Sequence, residues 1–151
     1  MAEVNTTQGA KLVAGTKLSP HESAGRQRML ASKMPTTYAQ AAINDTIFFG
    51  RVPVNSRILL EGWVSCAAGT ASCVLDIGLR STKTGTVIDA DGIAVGIDIA
   101  AAGNKAANNG ALIANGAEYV TTEEVDVYGT IRGAVLAANQ ALKVEISYVT
   151  D

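Results

Sequence analysis

Few residues of this 151-residue chain have the types and spacing that chemistry needs. His21 is the only imidazole, and it sits in a leader without sustained periodicity. A Ser/His/Asp or Cys/His nucleophile would therefore be built around an unanchored base, and a solvated arm residue is the ordinary reading. Cys66 and Cys73 are too few for a disulfide scaffold and, with one histidine, for a four-ligand zinc site. Asp89 and Asp91 before Gly92 resemble the start of a calcium loop, in which alternate carboxylates converge on a hard cation. The later glutamate is missing, and an Asx turn accounts for the same residues. Glu123 and Glu124 are adjacent, so on a strand they point to opposite sides and make no acid/base pair. No glycine run has the spacing that cradles a phosphate. Trp63 could stack on a sugar ring, although cover by the arm, a second layer or a neighbouring subunit is commoner for such a residue. No catalytic, cofactor or metal site is expected.

The elements that must carry these residues are strands. From Arg57, residues Ile58, Leu60, Gly62, Val64 and Cys66 fall on one face of a period-two pattern, with Leu59, Glu61, Trp63 and Ser65 on the other. Cys73, Leu75, Ile77 and Leu79 repeat the apolar face after a turn-forming Ala-Ala-Gly-Thr-Ala run. A hairpin centred on Gly69 and Thr70 would pair Cys66 with Cys73, Val64 with Leu75 and Gly62 with Ile77. That placement permits a cross-strand bridge, although two buried thiols are the expectation in a reducing cytosol.

The alternation continues along the chain. Thr46 to Val52 is the first secure strand, and a helical turn is expected just before it. The stretch 25–39 could hold an earlier strand, with Pro35 marking an edge or a break. Ile93, Val95, Ile97 and Ile99 share a face, residues 104–110 read as a loop, and two strands close the chain around Val125–Gly133 and Leu142–Tyr148. Seven or eight strands joined mostly by hairpin-sized turns predict an all-β antiparallel sandwich or jelly roll over 41–151.

Composition agrees with this. Aromatics make up 5% of a chain dominated by small and β-branched residues, which favours tight-turned β structure over a helical bundle. The net charge of -2 points to neither nucleic acid nor an anionic membrane, but it is unevenly spread. Lys11, Lys17, Arg26, Arg28 and Lys33 against Glu3 and Glu22 give residues 1–40 an excess of +3, leaving -5 on the remainder. Residues 1–40 therefore read as an extended basic arm on an acidic body. No apolar run reaches the length of a membrane helix, and the N-terminus lacks the pattern of a secretory signal, so cytoplasmic synthesis is expected.

Taken in order, DTI (45–47), VP (52–53), SRILLEG (56–62), LDIGL (75–79), DADG (89–92), IDIAAAG (97–103) and LKVEISYV (142–149) resemble small virion structural proteins of tailed bacteriophages, head decoration or cement proteins among them. The resemblance implies a β-rich, non-enzymatic domain on the outside of the capsid lattice, made in the host cytoplasm and carried on the virion. Its implied partners are the major capsid protein and further copies of itself, a homotrimer matching the three-fold sites of a lattice. Neither nucleic acid nor membrane is an implied partner. If the arm is the anchor, Lys11, Lys17, Arg26 and Arg28 are the capsid-binding residues. A receptor- or glycan-binding virion module, either head fibre or tail-associated, is the alternative. Loop tips of Ala, Gly, Asn and Thr argue against it.

Overall fold

The computed structural model describes residues 4–150; residues 1–3 of the expected arm and residue 151 of the body lie outside it. A short helix α1 (Thr7–Val13) precedes β1 (Arg26–Lys33), β2 (Thr46–Val52), β3 (Arg57–Cys66), β4 (Val74–Ser81), β5 (Val87–Asp98), β6 (Gly103–Ala106), β7 (Val125–Arg132) and β8 (Leu142–Thr150). They form two four-stranded sheets, ordered β1-β8-β3-β6 and β2-β7-β4-β5, with every pair antiparallel. The pairs β1·β8, β2·β7, β3·β6 and β4·β5 are nested about the β4–β5 turn, as if one long ribbon had been folded back and rolled up. That is the double-sheet jelly roll.

This topology overturns the expected hairpin. β3 and β4 lie in different sheets, so Cys66–Cys73, Val64–Leu75 and Gly62–Ile77 are not strand partners. The 67–73 connection is an arch, held by Ala67 N–H donating to Ala141 O at 2.9 Å and Gly69 N–H donating to Ala100 O at 2.9 Å. What survives is the shared core: Val64, Cys66, Cys73, Leu75, Ile77 and Leu79 are all buried, facing one another across the sandwich. Both thiols are free. Only the β4–β5 turn among the expected hairpins joins strands that pair.

Bulges account for the departures from strict alternation. On β3, Ile58 and Gly62 oppose Tyr148 and Ile146, so two extra residues push Leu60 out of the core to 55% exposure. On β5, the register slips between Ala94 and Ile97, and Gly96 sits at φ +63°, which leaves Val95 exposed while Ala94 and Ile97 stay inside. The helical turn expected before β2 is an irregular stretch bridged from Ala41 to Leu136, and part of the expected 104–110 loop belongs to β6.

At one end of the sandwich, buried Gln140 clips the arches together. Its Nε2 donates to Ala67 O at 2.8 Å and to Ile99 O at 2.7 Å.

Candidate functional site

The four basic residues assigned to the arm do not form one patch. Lys11, the last basic residue of α1, is paired with Glu22, whose carboxylate also accepts from Ser19 N–H at 2.9 Å. The Lys11 hydrogen bond, seconded by that of Ser19, holds the Glu22 carboxyl below its ordinary value. Lys17 is exposed in the segment between α1 and β1. Arg26 and Arg28 belong to β1, an edge strand whose register runs from Arg26 opposite Thr150 to Lys33 opposite Lys143. The arm therefore ends near residue 25, and Arg26–Lys33 is part of the sheet. Arg26 and Arg28 share the side of β1 that carries buried Leu30, yet both remain exposed. His21 is half-buried, among Pro20 to Gly25 against Arg57 and Val149, rather than solvated. Nothing of α1 is buried, and Val4, Leu12 and Val13 stand open.

The outer face of the β2-β7-β4-β5 sheet is a ladder of paired charges. A bulge after Phe48 turns both Phe48 and Arg51 outward, and the register sets Arg51, Asp126 and Arg80 in one row. Asp126 accepts from Arg51 Nε at 3.0 Å, from Thr82 Oγ1 at 2.9 Å and from Arg80 Nε at 3.4 Å. Arg80 stacks 5.0 Å from the Tyr128 ring centroid. Next along, Asp76 accepts from Arg132 Nε at 3.2 Å and from the bulge amide of Gly96 at 2.8 Å. Such matched groups hold a sheet face together and leave little unsatisfied for a reactant.

Burial opposes ionisation of Asp126, but the Thr82, Arg51 and Arg80 hydrogen bonds outweigh it and hold its carboxyl below the ordinary value. A depressed folded-state pKa contributes stability that is present above the unfolded value, about 3.9, and is lost as pH falls through the folded one. Asp126→Asn should therefore cost about 2 kcal/mol at neutral pH. In urea melts, the gap between variant and parent should close below about pH 4. A gap that persisted at low pH would assign the cost to packing.

The acidic turn is carried on β5. Asp89 Oδ1 accepts from Asp91 N–H at 3.2 Å, the Asx contact expected there. The hydrogen bond to Asp89, with burial behind it, raises the Asp91 carboxyl. No group of three or more metal-ligating side chains is brought together among the described residues.

The outer face of the β1-β8-β3-β6 sheet differs. One row reads Ala31, Glu145, Trp63, Ala106, and the next Lys33, Lys143, Ser65, Asn104. Trp63 is 51% exposed, and Met29 and Leu60 nearby are exposed at 57% and 55%. A groove of about 280 Å³ opens over Trp63, lined also by Ser65, Asn104, Lys143 and Glu145. Sequence periodicity placed Trp63 on this face but gave no sign of the groove. Apart from Ser65 on the same strand, its walls come from β6 and β8, far along the chain, and Ala106 beside the ring acquires meaning only from the register.

No protein-family profile and no curated protein matches the chain. The fold does have a solved counterpart. The chain is similar to one in a structure described as the capsid of Ralstonia phage GP4, with a TM-score of 0.66 and 15% identity, over 89% of this chain and 92% of that one. Two further similar chains come from the acidic stable capsid structure of Helicobacter pylori bacteriophage KHP30 and from the cyanophage Pam1 capsid asymmetric unit. The first has a TM-score of 0.49 at 12% identity over 82% of this chain and 87% of that one; the second has 0.47 at 11% over all of both. At 15% identity the GP4 likeness shows the jelly-roll fold alone. Among the described residues, no helix is long and apolar enough to cross a membrane.

Proposed function

We propose that this chain is a non-enzymatic decoration, or cement, protein of a tailed-phage capsid, which binds the outer head surface and stabilises it by bridging neighbouring capsid subunits. The observation that carries this reading is the fold likeness to a phage capsid chain along nearly the whole of both chains. The partners are the major capsid protein and two further copies of the chain. Phe48 and Val87, exposed on the charged sheet face, supply apolar surface for contacts between copies. A trimer matches the symmetry of three-fold lattice sites, and its several weak attachments act together through effective concentration. Capsids carrying the protein should survive heating and osmotic shock that release the contents of bare capsids. Equal survival of the two would refute the stabilising role.

A further inference from the structure

We propose that the groove over Trp63 is a carbohydrate subsite that takes one neutral pyranose ring. The indole lies at the centre of a sheet face, with alanine in register beyond each flank of its row, Ala106 directly beside it and Ala31 beyond Glu145. Between Ala106 and Glu145, Trp63 stays half-exposed. A flat, half-exposed aromatic face matches the C–H face of a pyranose, while its polar edge finds a partner at the wet rim. The rim supplies Glu145 as acceptor, Lys143 as donor, the Asn104 amide as both, and the Ser65 hydroxyl. That set suits vicinal sugar hydroxyls, each of which donates and accepts.

Charge and size narrow the ligand. Lys143 Nζ lies 2.8 Å from Glu145 Oε1, so the two charges in the groove balance and favour a neutral sugar over an acidic sugar or a phosphate. About 280 Å³ is at the small end for ligand sites, enough for one ring of a longer chain. No described residue of the arm lines the groove. Its root packs at the far end of this face, against Arg57 and Val149. The site lies on a sheet face rather than at the loop tips, and it needs only the free protein, so it stands apart from the capsid reading.

Trp63 is the only tryptophan, so its emission reports the groove alone. The full-length protein is titrated with methyl β-glucopyranoside, methyl β-galactopyranoside, N-acetylglucosamine, cellotriose and chitotriose. Saturation-transfer NMR on the same sugars follows which ring protons touch the protein. At least one probe should give a saturable emission change with a millimolar dissociation constant, as one stacked ring in an open groove allows. Saturation should concentrate on the protons of one ring face. Trp63→Ala should abolish the transfer, Glu145→Gln should weaken binding about tenfold through the lost charged acceptor, and Lys83→Ala, exposed in the β4–β5 turn of the opposite sheet, should change nothing. The subsite is wrong if no probe gives a saturable change, or if Trp63→Ala binds as the parent does. It is equally wrong if Trp63→Ala instead converts an oligomer to monomers, because a second copy then covers the ring.

Discussion

Gly78→Ala is expected to lower the melting temperature by about 10 °C, from a loss of about 3 kcal/mol. Gly78 faces outward at the centre of β4, opposite Tyr128 on β7. The bulged 89–92 stretch of β5 folds onto it so closely that a Cβ would fall inside the Asp89 carbonyl oxygen and the Ala90 backbone. Backbone cannot swing aside as a side chain can, so β5 must lift. Lifting it exposes Tyr128 and disturbs the loop behind, where Leu112 N–H donates to Gly92 O at 3.0 Å and Gly110 N–H to Ile93 O at 2.9 Å. Gly85→Ala is the matched control. Gly85 has φ +72° and open space around it, so alanine there pays only the conformational cost, about 1 kcal/mol. Thermal melts of the two variants separate packing from backbone freedom, and equal losses would refute the account of Gly78.

Deleting residues 1–24 should leave the fold intact and weaken capsid attachment by about tenfold or more. The cut falls before β1, whose eight residues pair with β8, and α1 buries nothing. Stability should fall by no more than about 1 kcal/mol, the cost of losing the root that packs against Arg57 and Val149. Attachment differs because the arm presents Val4, Leu12 and Val13 without cover and Lys17 without a partner among the described residues. Within residues 1–24, Lys11 and Lys17 balance Glu3 and Glu22, and the +3 excess sits on Arg26, Arg28 and Lys33 of β1, so added salt should weaken the arm's share of attachment only modestly. Arg26 and Arg28 stay on β1 in the shortened chain, and substituting them tests the sheet edge separately from the arm.

The sequence made the strands legible but left their partners hidden. Period-two alternation states which face of β3, β4, β7 or β8 is apolar, and those faces are buried except at Leu60, which the β3 bulge turns out. It does not state which strand lies alongside. β3 and β4 are close in sequence and in phase, so a hairpin and an arch across the sandwich bury the same residues. The long-range pairing that decides between them, such as Gly62 with Ile146, has no local signature. Gly96 inside a strand pattern was the available signal for the bulge that turns Val95 out. Lys11 and Glu22 are eleven positions apart and meet only through the turn between them, so no local pattern showed that Lys11 is already paired. Trp63 was singled out as a residue, but its groove is a product of register.

Cosedimentation of purified protein with purified bare capsids tests the proposed attachment to a preformed capsid most directly. The full-length chain should pellet with capsids to a saturating ratio fixed by lattice sites, and the chain lacking residues 1–24 should remain largely in the supernatant. Full-length protein that stays in the supernatant at every ratio would contradict the assignment, and equal pelleting of both chains would remove the arm from it.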